Sequence, residues 1–289
     1  MRIGIGLPAA VPGTPATAIG DWAAAGEQQG FESLAVLDRL VYDNLDPLIA
    51  LAAAAARTER VELLTTILGV PFRQSALVLA KQLASIDQLS GGRLTAGLAL
   101  GGWPEDYEAS ETTLAGRGAA FEDMLITMRR VWSGEISGAA GPLPALAPGR
   151  PSVLLGAILP AGFRRAATYG EGWVAPFFGH QLLVDGIAAI RRAWVDADRP
   201  GRPRVVVARY FCLGSRADQV ADDYLRHYYG REHFATARAD TLTSPERLHE
   251  EISRLDEAGC DDLLLFPCAG DLEQVAMLAQ ALHPTLALA

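Results

Sequence analysis

A chain of 289 residues with a formal net charge of −9 is long enough to bury a large core, and its acidic balance argues against nucleic-acid partners, which need a basic face. Half of the residues are hydrophobic and one fifth are charged, a composition that excludes extensive disorder. The most apolar segment, residues 48–56, is too short to span a bilayer, and the opening MRIGIGLP lacks the regions of a signal peptide, so a soluble cytoplasmic protein is expected.

Short apolar or β-branched runs alternate with helical patterns along the chain. The periodicity predicts a strand over 2–7 and a helix over 15–30 that closes on Gly30. Strand 33–38 precedes helix 46–59, strand 61–68 precedes helix 75–90, and strand 93–100 leads through a loop at 104–116 into helix 116–134. A Pro/Gly-rich connector within 135–151 separates these from strand 152–157 and helix 160–170, and from strand 172–177 and helix 180–197. The pattern ends with strand 203–213, helical stretches at 216–229 and 244–259, strand 261–266 and helix 271–282.

Eight strand-helix units are the number of a closed (β/α)₈ barrel, whose buried parallel strands read as continuous apolar runs. The expectation is an α/β protein with one barrel domain over 1–289. An open doubly wound sheet fits less well, because residues 4–13 are not GxGxxG opening into a helix. A barrel places its site at the C-terminal strand ends. Those ends offer Leu7 and Pro8; Asp38 and Arg39; Thr66 and Ile67; Gly101 to Trp103; Gly156 and Ala157; Pro176 to Phe178; Cys212; and Phe266 with Pro267.

Few of these are tools of polar catalysis. His180, His227, His233, His249 and His283 are scattered over helices and loops without HxH or HExxH, so no metal site is expected. A GxSxG elbow is absent. The acids Asp38, Glu105 and Asp106 read either as a carboxylate pair or as surface acids in a loop. Cys212, Cys260 and Cys268 lack CxxC spacing and read as inert thiols. An apolar, aromatic mouth suits a flat hydrophobic group, with the difficult chemistry supplied by a cofactor. After Gly156, the helix beginning at Pro160 and Ala161 could present backbone N–H groups to an anion.

Three stretches together resemble the bacterial luciferase-like flavin-dependent oxidoreductases: 37-LDRLVYDNLDPLIALAAAAARTERVEL-63, the block SGGR…GGWPEDYEA…RG within 80–134, and 153-VLLGAILPAGFRRAATYGEGW-173. The likeness is good over residues 1–175 and looser beyond. It implies a (β/α)₈ barrel holding reduced FMN, or the 8-hydroxy-5-deazaflavin coenzyme F420, in its mouth. It implies that Asp38 lines the ring pocket and that Thr66 and Ile67 form a bulge with a non-proline cis peptide. Gly101, Gly102 and Trp103 would pass the ring, with the acidic stretch after them starting a solvent-facing loop, and Gly156, Ala157 and Ile158 would form the phosphate turn. Arg164 and Arg165 follow, as surface charges or phosphate contacts. Where many relatives carry a His beside the second-strand acid this chain has Arg39, so no His base is carried over. Asp38, Arg39 and Tyr42 are the candidates for contacts to substrate or ring oxygen.

The resemblance further implies a monooxygenase that takes reduced FMN from a separate flavin reductase and uses O₂ on a small organic substrate, and a homodimer built through early helices. Hydride transfer from reduced F420 without O₂ is an alternative, as is a protein that binds a flavin without catalysis. Substrate choice falls to the mouth loops at 104–116 and around 230–243.

Overall fold

The computed structural model describes residues 1–143 and 145–286. Its strands are β1 (Arg2–Gly6), β2 (Ser33–Val36), β3 (Glu62–Thr65), β4 (Leu94–Ala99), β5 (Ser152–Gly156), β6 (Gly172–Val174), β7 (Arg204–Phe211) and β8 (Asp262–Pro267). All pair in parallel in the order β3-β2-β1-β8-β7-β6-β5-β4, and β3 also pairs with β4, so the sheet closes into the expected barrel. Helices α1 (Ala18–Gln28), α2 (Pro47–Ala55), α3 (Ala76–Leu89), α4 (Pro104–Ala109), α5 (Arg117–Trp132), α6 (Pro160–Tyr169), α7 (His180–Asp196), α8 (Ala217–Ala239), α9 (Pro245–Ala258) and α10 (Glu273–Leu286) join them. No helix among the described residues is long and apolar enough to cross a membrane.

Local chemistry explains the starts and stops. Asp46 caps α2 by accepting from the N–H groups of Leu48 and Ile49, with Pro47 at the first helical position. Ser244 and Pro245 do the same for α9, which ends on left-handed Gly259. Arg93, from the SGGR block, donates to the carbonyls of Ser90, Val61, Thr58 and Ala55, tying the end of α2 to the starts of β3 and β4. That motif residue therefore serves the scaffold.

Several expected boundaries move. The strand read over 61–68 is interrupted: the Thr66–Ile67 peptide is cis, and only Leu68–Gly69 resumes pairing with β4. The expected loop 104–116 contains α4, started by Pro104. The expected loop at 230–243 is mostly helix, because α8 continues to Ala239 through a kink at Gly230 (φ 65°, ψ −169°). Among its described residues the connector carries a two-residue antiparallel pairing, Ser137–Gly138 with Gly141–Pro142. His283 falls outside the residues whose side chains are described.

Strand residues alternate between two apolar clusters. Ile5, Leu34, Val36, Leu63 and Val207 face the helices, whereas Ala35, Leu64, Leu154, Val206 and Leu264 fill the interior. Beneath them an ionic layer closes the bottom. Arg204 donates in fork fashion to both carboxylate oxygens of Glu62, at 2.8 Å each, and to Asp262, while Arg2 reaches both acids and Thr95 donates to Glu62.

Burial alone would raise the Glu62 carboxyl, but Arg204, Thr95 and Arg2 outweigh it and hold the group below its ordinary 4.5. A depressed folded value means stability that is present above pH 4.5 and lost as the pH falls through the folded value. Glu62→Gln is expected to lower stability by about 1–3 kcal/mol at pH 7, with the gap to wild type narrowing below pH 4.5 in urea titrations. A gap independent of pH would contradict this assignment.

Candidate active site

The segments after β2, β4 and β7 converge over the C-terminal end of the barrel, with Arg39 at the centre. Its side chain is only 4 % exposed, and its guanidinium lies 3.8 Å from the centre of the Trp103 ring. It donates to Glu105 at 2.8 Å, while its Nε faces Asp106 at 3.5 Å without a hydrogen bond. The rings of Tyr42 and Tyr228 lie 5.5 and 5.6 Å away. A buried cation on aromatic faces and beside carboxylates is held far more firmly than a surface charge.

This corrects the reading of the acidic stretch as the start of a solvent-facing loop. Asp106 is 2 % exposed and accepts from the N–H of Val41, and Tyr107, also buried, donates to the carbonyl of Leu100. Both acids sit in the first turn of α4, where the helix dipole favours them. Gly101 holds a left-handed conformation (φ 79°), and its carbonyl accepts from Arg117; the space beside Gly102 is open.

Asp38 is a clamp. Its carboxylate accepts from the N–H of Gly69 at 2.9 Å and from Arg73 at 2.8 Å, which ties the end of β2 to the bulge after β3. Burial raises this carboxyl, with Arg73 and the Gly69 N–H working the other way. Thr66 is buried and bonded through its N–H and hydroxyl to the Val36 carbonyl. Ile67 extends across the interior towards β4 and β5: a Cβ on Gly156 would stand 2.6 Å from Ile67 Cδ1 and 3.0 Å from the Ala99 Cβ, and one on Gly97 would strike the Thr65 carbonyl. Gly156 is thus demanded by packing.

Beyond it the Ala157 carbonyl accepts from Trp173 Nε1, and Ile158 is 60 % exposed. The N-terminus of α6 has no side-chain cap. Arg165 is neither a surface charge nor free for an anion here, since it is buried and bonded to Glu122 and the Gly118 carbonyl; Arg164 is exposed. A cleft of about 510 Å³ runs between α6 and α7 and includes Ala157, Ile158, Arg164 and Arg192. It adjoins this turn and does not reach the aromatic mouth.

The mouth itself is lined by Phe177, Phe178, Tyr210, Tyr224, Tyr228 and Tyr229, in edge, tilted or stacked contacts with centroids 4.8–6.2 Å apart. Tyr210 and Tyr229 share a hydroxyl–hydroxyl contact of 2.9 Å. Burial pushes the phenols of Tyr210, Tyr224 and Tyr229 well up, so they are neutral donors at physiological pH. Tyr42 joins them from the β2 side, its hydroxyl 2.7 Å from His227 Nδ1, and His233 lies edge-on to Trp103.

Reading the sequence by strand ends missed α8's contribution. The run 224-YLRHYY-229 places Tyr224, His227 and Tyr228 one helical turn apart, and that spacing was the available signal. Of the other histidines, His180 begins α7 and His249 lies on α9. Among the described residues no three His, Cys, Asp or Glu side chains gather to hold a metal. The three cysteines are buried and free, and burial raises the thiols, to about 11 for Cys212 and Cys260.

The arrangement is an aromatic, largely apolar wall with one fixed cation and a fringe of neutral phenols, suited to a planar conjugated ligand. Gly156→Ala is expected to cost about 1–3 kcal/mol in chemical denaturation because Ile67 must shift. Stability equal to wild type would mean that Ile67 yields freely.

Comparison with known proteins places this geometry. The sequence model of the luciferase-like monooxygenases matches residues 1–287. An uncharacterized protein of Mycobacterium tuberculosis is 29% identical over 175 residues, which are 56% of this chain and 61% of that relative, so the match spans less than two thirds of its length. Two solved structures share the fold. Monooxygenase RslO1 from Streptomyces bottropensis has a TM-score of 0.80 at 22% identity, covering 100% of this chain and 99% of that one. An F420-dependent secondary alcohol dehydrogenase bound to an F420-acetone adduct has a TM-score of 0.79 at 16% identity, covering 97% of this chain and 98% of that one.

Proposed function

The chain belongs to the luciferase-like monooxygenase family, an enzyme family of flavin- and F420-dependent oxidoreductases, and on that premise we propose that it is a two-component monooxygenase. In that role a separate reductase would supply reduced FMN, whose two electrons activate O₂, so that one oxygen atom passes to a small organic substrate in the barrel mouth and the other leaves as water. The observation that carries this reading is the mouth itself: aromatic rings and neutral phenols surround one fixed guanidinium.

The residues fit a flavin. Ile67, Trp103 and the open side of Gly102 would receive the ring, and the uncapped start of α6 beyond Gly156, Ala157 and Ile158 would receive its phosphate. Arg164 stands one turn into that helix as a further charge for it. Asp38 would act on the ring indirectly, by fixing the Thr66–Ile67 bulge. The coenzyme, when bound, supplies the electrons; the chain's own part is to exclude water, orient the substrate and handle protons.

Hydride transfer from reduced F420 is the second reading, favoured by the full-length likeness to the F420-dependent alcohol dehydrogenase. The exposed apolar residues Ile49, Leu77 and Val78 on α2 and α3 support a homodimer through these early helices.

Two measurements test the assignment. Ile158→Glu adds a negative charge at an exposed position of the turn, and should weaken FMN binding about tenfold while leaving riboflavin binding and thermal stability unchanged. Equal weakening of both flavins would move the phosphate elsewhere. Turnover that requires O₂ supports the monooxygenase; product formed anaerobically with reduced F420 selects hydride transfer.

A further inference from the structure

The hydrogen bond between Tyr42 and His227 joins residues 185 positions apart and bridges the segment after β2 to α8. In the barrel order, β2 and β7 are separated by β1 and β8, so the contact passes over two strand ends at the rim of the aromatic mouth. The two ends of the pair differ in surroundings. Tyr42 packs with its ring edge against Tyr228, 4.8 Å between centroids, and joins the cluster that fills the mouth. His227 is exposed and open to water. Tyr42 is half-buried against the aromatic cluster and His227 is exposed, so the pair runs from the rim of that cluster to water, which is the layout of a proton path through a single pair of groups.

We propose that Tyr42 and His227 form the proton-transfer pair of the reaction, with the Tyr42 hydroxyl meeting a substrate oxygen and His227 exchanging protons with water. This rests on the preceding reading that the substrate occupies the mouth. When imidazole is neutral, Nδ1 accepts the phenol's proton; when imidazole is charged, both ring nitrogens donate, so the same 2.7 Å contact reverses its polarity and frees the phenol's O–H for the substrate. As negative charge builds on a substrate oxygen, the Tyr42 O–H bond breaks and an O–H bond forms on the substrate. The phenolate then takes the proton from Nδ1, and a proton from hydronium or a buffer acid in the surrounding solvent restores the imidazolium, so that one solvent proton is consumed for each proton delivered to the substrate. No electrons pass through the pair; they arrive with the reduced coenzyme.

The neighbouring charges are consistent with this. Arg39 lies 5.5 Å from the Tyr42 ring, where it favours a transient phenolate. Burial pushes the resting phenol up to about 12, Arg39 works against that and Asp43 adds to it, so Tyr42 rests as a proton donor. Other ionisable groups around the pair include Tyr228 and Tyr224 beside Tyr42, Asp38 near Tyr228, Glu105 and Asp106 already engaged with Arg39, and His233 against Trp103. The pair also supplies what the second-strand position lacks, because Arg39 cannot exchange a proton at neutral pH.

The test has one readout on the protein alone and one in turnover. Without coenzyme, ¹⁵N NMR of the histidine side chains at pH 8 should show a single His227 tautomer protonated at Nε2, and Tyr42→Phe should give a tautomer mixture. In turnover with reduced FMN or F420, Tyr42→Phe and His227→Ala should each lower kcat by roughly 100-fold, with coenzyme affinity within about twofold of wild type. Added imidazole should restore His227→Ala and leave Tyr42→Phe unchanged, and the solvent deuterium isotope effect on kcat should grow in His227→Gln. If His227→Ala loses coenzyme affinity as steeply as turnover and imidazole restores neither, the contact is a strap between the two segments and the proposal falls. It falls equally if both variants turn over like wild type. If wild type binds neither coenzyme, the functional reading fails and takes this role with it, an outcome distinct from variants that fail on an active background.

Discussion

A closed ring of eight parallel strands has to fill its own interior, and the rest of this structure follows from how that is done. Side chains alternate in and out with a period of two, so each inward position meets others across a narrow lumen. Bulky inward residues are admitted only where a partner is small: Phe266 occupies the space beside Gly6, and Ile67 that beside Gly156 and Gly97. Below the apolar layers, Arg204, Arg2, Glu62 and Asp262 close the bottom with paired charges. The strands consequently open to ligand at one end alone, where their C-terminal loops stand.

At that end the buried guanidinium of Arg39 gathers three separate segments. It draws α4 inwards through Glu105 and Asp106, stacks on Trp103, and lies beside Tyr42 and Tyr228. A cation this deeply placed needs compensation from every side. That requirement explains why, in an acidic stretch that reads as solvent-facing, Asp106 turns inwards and the half-exposed Glu105 pairs with Arg39. Asp38 performs a parallel task one residue earlier, spending its carboxylate on Gly69 and Arg73. Neighbouring acid and base in the sequence thus anchor different parts of the rim.

The candidate site was legible in the sequence wherever the barrel rule reaches it. Strand ends identified Asp38, Arg39, Thr66, Ile67, Trp103, Gly156 and Ala157 as residues of one face, and the family resemblance added Ile158 to the turn. The roles of several residues changed once their neighbours were in place: Gly156 packs against Ile67 and Ala99, Arg165 is bonded to α5, and Asp106 is buried. His227, Tyr228 and Tyr229 escaped that rule because they stand more than a dozen residues beyond the end of β7, on a helix that returns over the mouth. Their i+3, i+4 and i+5 spacings from Tyr224 were visible, but spacing fixes a helix face and says nothing of what that face meets.

The sequence by itself determined the count and type of the eight units, because buried strands and amphipathic helices need different hydrophobic periods, and those periods are local. Caps such as Asp46 and Ser244 and stops such as Gly259 are equally local. Tertiary structure alone decided that Tyr42 meets His227, that Arg39 stacks on Trp103 and that Glu62 pairs with Arg204. Each of these contacts joins chain segments tens to hundreds of residues apart, and its geometry depends on the curvature and stagger of the closed sheet, which no stretch of sequence encodes locally.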